Sequence, residues 1–290
     1  MRPDRLARLK VFAAFALLLA CLLATPATAD RGQFTFDDWD GPPLRVFYSR
    51  PGTLANDTPL VFVMHGVRRN ADEYRDQWHD LAMEHEFLLV VPEFNAEDFP
   101  GSRGYNLGYR EDEAGNPRPR QLWSYAAIEP IFDDVRRREG LRTERYALYG
   151  HSAGSQFVHR FIYYVPEARV SQIVPANAGW YLMPDEAAAF PYGLDGSGVT
   201  TDMLRAAWAK PVTVLLGELD TDPEHRYLRR APEAMAQGPH RFARGQRYFD
   251  LNRRSAKRLG VPFEWQLATV PGVGHENRRM APAAIPYLLP

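Results

Sequence analysis

The most informative short segment of the sequence is GHSAG, residues Gly150 to Gly154. It lies directly between an apolar run typical of a buried strand, Tyr146 to Tyr149, and a helical pattern that starts at Ser155. A G-x-S-x-G pattern in this context is typical of a sharp strand-to-helix turn that exposes a serine hydroxyl above a sheet. Side chains in place of its two glycines would clash across so tight a turn. Ser152 is therefore the candidate nucleophile for acyl transfer.

A serine hydroxyl is a weak nucleophile without a base, and two later segments supply candidate partners. Asp220 follows the apolar run Pro211 to Leu216, and His275 ends a Gly-rich segment after the last predicted strand. In this order His275 is expected to accept the serine proton, and Asp220 to orient the imidazole and stabilise its cation. Asp222, two residues further on, remains an alternative acid.

Acyl transfer also needs hydrogen-bond donors for the oxygen that becomes negatively charged. One expected donor is the backbone N–H of Ala153, next to the nucleophile at the start of a helix. The second is expected just after the apolar run Leu60 to Met64, from the N–H of Val67 or of Arg68. His65 is predicted to fix this turn rather than to take part in chemistry.

Apolar runs typical of strands alternate with helical patterns along the chain. This alternation predicts βαβ units, that is, an α/β fold with a mainly parallel central sheet and helices on both faces. Asn70 and Glu73 predict a capping box at the start of the first helix. Predicted strands cover 44–48, 60–64, 87–91, 145–149, 171–176, 211–216 and 263–270, and further predicted helices cover 128–138, 153–165 and 246–259.

Two long segments rich in Gly and Pro interrupt this alternation, Asn95 to Leu122 and Trp180 to Ala209. Both follow predicted strands and should leave the sheet at the same edge as Ser152, so they are predicted to be lid-like loop insertions. Aromatic side chains suit a pocket wall for an acyl group. The aromatic residues predicted to line the substrate pocket are Trp123, Trp180 and Tyr181.

The N-terminus has the features of a secretory signal peptide at residues 1–29. A basic start precedes the apolar stretch Val11 to Ala24, and Ala27 to Ala29 is a small-x-small cleavage site. The apolar stretch is shorter than the roughly 20 residues needed to span a bilayer. Export is therefore predicted, with residues 30–290 forming a single catalytic domain. The alternative is a lipoprotein held to the membrane by a lipid on Cys21.

Composition narrows the choice of partners and cofactors. Cys21 is the only cysteine, so the exported chain is expected to contain no disulfide. Removal of four basic residues and Asp4 from 35 Lys and Arg and 36 Asp and Glu leaves a net charge of −4. Nucleic acid is therefore not expected as the main partner. No pattern typical of metal ligands occurs, and neither a metal nor another cofactor is predicted.

Four segments together resemble a known group of proteins. The chain is similar to the polyhydroxybutyrate depolymerase-like and feruloyl esterase-like branch of the α/β hydrolases, from about Leu44 to the C-terminus. The matching segments are HGVRRNADEYRDQW (65–78), GHSAGSQFVHRF (150–161), GELDTDP (217–223) and VPGVGHE (270–276).

The resemblance implies the α/β-hydrolase fold and hydrolysis of carboxylic esters without a cofactor, acting on a small-molecule or oligomeric ester. It implies that Ser152, Asp220 and His275 form a catalytic triad, and that the N–H groups of Val67 and Ala153 bind the oxyanion. The chain differs from many secreted depolymerases because it has no disulfide and no evident polymer-binding module.

Two other functions fit the same motifs. One is a serine peptidase of the same fold, although no large accessory domain accompanies the motifs here. The other is a binding protein that keeps the fold without catalysis. Loss of a triad residue would mark such a protein, and Ser152, Asp220 and His275 are all present.

Overall fold

A computed structural model describes residues 30–289, and the predicted signal peptide and Cys21 lie outside these residues. Within them, eight strands form one sheet. They are β1 (Asp30–Phe36), β2 (Leu44–Arg50), β3 (Leu60–Met64), β4 (Leu88–Glu93), β5 (Tyr146–His151), β6 (Val170–Ala176), β7 (Thr213–Gly217) and β8 (Gln266–Val270). The order across the sheet is β1-β2-β4-β3-β5-β6-β7-β8, with β1 and β2 antiparallel to their neighbours and all later pairs parallel.

Helices cover both faces of the sheet. The described helices are α1 (Ala71–Glu84), α2 (Gly101–Gly104), α3 (Ile128–Glu139), α4 (Ala153–Tyr164), α5 (Thr201–Trp208), α6 (Pro232–Gln237), α7 (Arg241–Arg258) and α8 (Asn277–Leu288), with short 3₁₀ turns at Arg120–Leu122 and Ser124–Ala127. Buried side chains of α1 and α8 pack in one apolar cluster, and those of α3, α4, α5 and α7 pack in the cluster on the opposite face. None of the described helices is long and apolar enough to cross a membrane.

The central strands are apolar throughout because both of their faces are buried. In β3, Val61 and Val63 belong to the cluster under α1 and α8, whereas Phe62 and Met64 belong to the cluster on the other face. All four side chains are fully buried. A continuous apolar run is the pattern expected of a parallel strand between two helical layers, so the predicted α/β architecture is confirmed.

The structure differs from the predicted elements in several places. Strand β1 and helices α2, α5, α6 and α8 were not predicted, and α7 begins at Arg241 rather than at Gln246. Helix α8 contains Pro282 and Pro286, which hide its helical pattern. The predicted capping box at Asn70 is wrong, because the Asn70 side chain caps no backbone N–H and instead donates a hydrogen bond to Glu73 Oε2 at 2.7 Å.

The turn between β5 and α4 packs directly against the end of β3. A Cβ atom at Gly154 would lie well inside contact distance of the Met64 carbonyl oxygen, and one at Gly150 would meet the Gly154 carbonyl. These obstacles are backbone atoms, which cannot rotate away as a side chain can. Glycine at both positions therefore allows α4 to begin against the sheet, and this contact fixes the height of Ser152 above it.

We expect Gly154→Ala to lower the free energy of unfolding by about 1–3 kcal/mol, because the added methyl group must push α4 away from β3. Urea denaturation measures the change. The matched control is Ser155→Ala in the same turn, since the buried Ser155 hydroxyl has no hydrogen-bond partner among the described residues. This control should be neutral or slightly stabilising. Equal stability of the Gly154→Ala variant and the wild type would contradict the close contact.

Candidate active site

Three side chains that lie far apart in the sequence meet at the carboxyl edge of the sheet. Ser152 follows β5, Asp220 lies just beyond β7, and His275 follows β8. His275 Nε2 lies 3.0 Å from Ser152 Oγ, and His275 Nδ1 lies 2.7 Å from Asp220 Oδ2. Both are hydrogen-bond distances. The three candidate catalytic residues therefore form one continuous hydrogen-bonded chain.

The backbone of Ser152 has an unusual conformation, with φ 58° and ψ −114°. Two backbone hydrogen bonds hold it there. Ser152 N–H donates to the Ala176 carbonyl at 3.0 Å, and Gln156 N–H donates to the Ser152 carbonyl at 3.1 Å. A non-glycine residue at positive φ costs free energy, and the surrounding structure must supply it. The turn between β5 and α4, called the elbow from here on, places the Ser152 hydroxyl at the N-terminus of α4.

Asn177 connects the two segments that carry Asp220 and His275, and no sequence pattern indicated this role. Its side chain is fully buried. Its Nδ2 donates to the Gly274 carbonyl at 3.0 Å, and its Oδ1 accepts a hydrogen bond from Gly217 N–H at 2.8 Å. Asn177 also has a positive φ of 50°. It ties the segment before His275 to the end of β7, so the histidine loop has a fixed position.

Asp220 is only 3% exposed, and its two carboxylate oxygens have different partners. Oδ2 faces His275, while Oδ1 accepts a hydrogen bond from Arg241 Nη1 at 3.2 Å. Burial raises the pKa of the Asp220 carboxyl, but the hydrogen bonds and charges of His275 and Arg241 outweigh this effect, so the pKa lies below its usual value. The alternative acid Asp222 is exposed and accepts a hydrogen bond from Glu224 N–H at 2.8 Å.

The environment of His275 favours its neutral form. Only 14% of its side chain is exposed. Burial lowers the pKa of His275 below the usual histidine value, and the hydrogen bond to Asp220, which raises it, does not compensate fully. The ring of His151 lies 4.7 Å from that of His275, and burial also lowers the pKa of His151 well below its usual value. Two neutral imidazoles therefore lie side by side.

A cavity of about 430 Å³ opens beside the Ser152 hydroxyl. Val67 and Ala153, whose N–H groups are the candidate oxyanion donors, both line it. The remaining lining residues come from the segments after β3, β4 and β6, from α4, from the loop between β7 and α6, and from the start of α7. They are Arg69, Ala96, Gly101, Ser102, Asn106, Gln156, Gly179, Trp180, Arg226, Tyr227, Leu228, Arg229 and Arg241.

Of the three aromatic residues predicted to line the pocket, only Trp180 does so. Tyr181 is fully buried and stacks on Tyr248, with ring centroids 4.4 Å apart. Trp123 packs edge-on against Tyr164 away from this cavity. The predicted positions of Tyr181 and Trp123 at the pocket are therefore wrong.

The two predicted lid-like segments differ in their relation to the cavity. The first contributes Ala96, Gly101, Ser102 and Asn106, but the second contributes only Trp180. The second segment includes α5, and several of its residues instead lie beside the C-terminal half of α7. Residues 226–229 form the outer wall, and the sequence analysis overlooked them. Their signal was a long, Arg-rich stretch without helical pattern directly after the candidate acid.

Other histidines near the site have structural hydrogen bonds. His65 is fully buried, and its Nε2 accepts from Phe94 N–H at 3.0 Å. His159 Nε2 likewise accepts from Leu182 N–H at 3.1 Å. Within residues 30–289, no group of three or more His, Cys, Asp or Glu residues is placed to hold a metal ion.

No family model matches the chain, and no curated protein matches it either. Solved structures do match. Poly(aspartic acid) hydrolase-1 from Sphingomonas sp. KT-1 is 47% identical over 90% of this chain and 98% of that chain, with a TM-score of 0.88. LpqC, a poly(3-hydroxybutyrate) depolymerase from Bordetella parapertussis, is 39% identical over 89% of each chain, with a TM-score of 0.83.

More distant structures share the fold alone. The acetyl xylan esterase from Aspergillus awamori is 13% identical over 89% of this chain and 98% of that chain, with a TM-score of 0.56. The two closer structures are similar in sequence over nearly their whole length and are both hydrolases. The chain is thus a hydrolase and belongs to the polyhydroxybutyrate depolymerase-like branch of the α/β-hydrolase superfamily.

Proposed function

We propose that the chain is a serine hydrolase that cleaves carboxylic esters through an acyl-enzyme intermediate. The observation that carries this proposal is the hydrogen-bonded chain from Ser152 through His275 to Asp220. The base lies within reach of the nucleophile, and a buried carboxylate orients the base, which is the arrangement that activates a serine hydroxyl.

The reaction proceeds in two halves. Ser152 Oγ attacks the ester carbonyl carbon while its proton passes to His275 Nε2, and the carbonyl oxygen becomes an oxyanion. The N–H groups of Ala153 and Val67 bind that oxyanion. Its collapse expels the alcohol, which takes the proton from His275 and leaves Ser152 acylated. Water then attacks the acyl group, His275 accepts one of its protons, and the acid is released as Ser152 recovers a proton.

Export belongs to the same proposal. The basic start, short apolar stretch and small-x-small site of residues 1–29 support removal of a signal peptide, which leaves residues 30–290 as one catalytic domain. Attachment of a lipid to Cys21 is the alternative, and it would hold the enzyme at a membrane surface.

A second candidate function is hydrolysis of an amide bond in an anionic polymer. Four of the described residues that line the cavity are arginines and none is Asp or Glu. Arg226 lies over the Tyr227 ring, and Arg229 donates to the Tyr192 hydroxyl at 2.9 Å. Within residues 30–289 no carboxylate forms a salt bridge with either arginine, so neither charge is neutralised. Poly(aspartic acid), the polymer named for the 47% identical structure, is a polyamide that carries a carboxylate on each residue. The same three catalytic residues would cleave either bond.

The first of three predictions on catalysis concerns the nucleophile. We expect Ser152→Ala to remain folded but to lose at least about 1,000-fold in kcat on short-chain 4-nitrophenyl esters, and to lose fluorophosphonate labelling. Circular dichroism checks the fold. Ser155→Ala, three residues further along, should keep both labelling and hydrolysis. More than a few per cent of wild-type activity in Ser152→Ala would remove Ser152 as nucleophile.

The second prediction separates the two candidate acids. Asp220→Asn should lower kcat by about 10⁴-fold, because an amide in this place holds the wrong imidazole tautomer. Asp222→Asn should change kcat by less than about threefold, since Asp222 is exposed and bonds only within its own turn. Steady-state kinetics on one ester measures both variants. The reverse ranking would assign the acid to Asp222.

The third prediction concerns substrate charge. If the cavity binds anions, Arg229→Met should lower kcat/KM for a 4-nitrophenyl ester of succinate about tenfold relative to the butyrate ester. Arg230→Met is the matched control, because Arg230 pairs with Glu224 at 3.2 Å and does not line the cavity. Release of carboxyl or amine groups from poly(aspartic acid) and from poly(3-hydroxybutyrate) then identifies the bond cleaved. An unchanged succinate-to-butyrate ratio would argue for a neutral ester.

A further inference from the structure

Arg241 is a buried arginine that touches the active site without being part of the hydrogen-bonded chain. It is only 1% exposed. Its Nη1 donates to Asp220 Oδ1 at 3.2 Å, and its Nη2 lies 3.1 Å from His225 Nδ1. One planar guanidinium therefore joins the carboxylate of Asp220 to a second histidine. A guanidinium holds such geometry well because its donors have fixed directions.

The start of α7 holds Arg241 in place. Arg241 is the first residue of this helix, and the next N–H, that of Phe242, donates to the Asp220 carbonyl at 3.1 Å. His240 precedes the helix, and its Nδ1 accepts a hydrogen bond from Ala243 N–H at 3.2 Å. The backbone and the side chain of Asp220 are therefore both hydrogen-bonded to the first turn of α7.

Arg241 also determines which nitrogen of His225 carries hydrogen. His225 Nδ1 faces Arg241 Nη2 and Tyr227 N–H, the latter at 3.2 Å, and both of these groups are donors. His225 Nδ1 must therefore be an acceptor, which leaves the hydrogen on Nε2. His225 lines a second depression, of about 280 Å³, together with Ser152 and His275. The arginine thus orients Asp220, which is part of the hydrogen-bonded chain, and His225, which lies beside it.

We propose that Arg241 is a positioning residue of the active site, which fixes Asp220 and His225 and whose positive charge extends activity to lower pH. This inference rests on the proposed serine mechanism, in which His275 must be neutral to accept the proton. A nearby positive charge opposes protonation of His275. The charge of Arg241 works in the same direction as burial, and against the attraction of Asp220.

Among the charged groups that act most strongly on the pKa of His275, Arg241 is the positive one. The titratable and charged groups nearest to His275 are Asp220, Arg241, Glu276, His151 and His225. The depression that His275 lines is also bordered by Arg68, Glu73, Tyr74, Arg226 and Tyr227. Both acidic groups favour protonation of His275. Burial lowers the pKa of His151 well below its usual value, and His225 Nδ1 already faces two donors, so protonation of either ring is opposed. Arg241 therefore supplies the opposing charge.

The test compares Arg241→Gln with Arg241→Lys. Glutamine can still donate a hydrogen bond to Asp220 but carries no charge, whereas lysine keeps the charge but cannot bridge both partners. Two quantities are measured against pH: kcat/KM on a neutral 4-nitrophenyl ester, and the rate of fluorophosphonate labelling of Ser152. In the wild type both should fall as pH falls through the pKa of His275, below the usual histidine value.

We expect Arg241→Gln to raise the acid midpoint of both profiles by about half to one pH unit. Arg241→Lys should leave the midpoint near that of the wild type and lower the plateau rate about tenfold. If the glutamine variant does not fold, the lysine variant decides the question. A wild-type midpoint in Arg241→Gln, or an unchanged plateau together with a shifted midpoint in Arg241→Lys, would overturn the inference.

Arg244→Gln is the matched control, because Arg244 is equally buried and lies one turn further along α7. It donates to backbone carbonyls of Gly179, Arg229 and Gly238, not to Asp220. Its loss should lower thermal stability without moving the acid midpoint by more than about 0.2 units. An equal midpoint shift in both variants would assign the effect to general disturbance. Absence of labelling in the wild type would instead refute the serine mechanism, whatever Arg241 does.

Discussion

The active site depends on the close approach of the elbow between β5 and α4 to the end of β3. Backbone atoms meet there without intervening side chains, which only glycine at 150 and 154 permits. The contact fixes three things at once: the strained backbone of Ser152, the N-terminus of α4, and the turn that carries Val67. Changing one of these changes the others, so the nucleophile and both candidate oxyanion donors form a single rigid unit.

Buried arginine side chains are another feature of the site. Arg160, Arg241 and Arg244 are all nearly inaccessible to solvent, and only Arg241 has a carboxylate partner. Arg160 and Arg244 are bonded mainly to backbone carbonyls, which replace part of their hydration. Desolvation lowers the pKa of each of these guanidinium groups, to about 10 for Arg160 and Arg244, yet they stay charged at neutral pH. These three arginines therefore place positive charge in the protein interior near the cavity, where the buried histidines are neutral.

Much of the fold could be predicted from the sequence, because buried parallel strands and amphipathic helices have distinct patterns. The mainly parallel sheet with helices on both faces is confirmed. Elements were missed where the hydrophobic pattern of the local sequence is weak. Strand β1 is half exposed at the sheet edge, and α8 contains two prolines. The loop at 226–229 has no periodic pattern, so only its position in space connects it with the site.

The sequence alone identified Ser152, Asp220 and His275 as candidates, because each follows a strand and the chemistry of acyl transfer needs these residue types. It left Asp220 and Asp222 as alternatives, and it placed Trp123 and Tyr181 at the pocket. Only the tertiary structure decided which carboxylate is buried beside His275 and which aromatic rings face the cavity. No sequence pattern identified Arg241 or Asn177 as residues of the site. Their partners lie 16 to 97 residues away, and only the folded sheet brings them together.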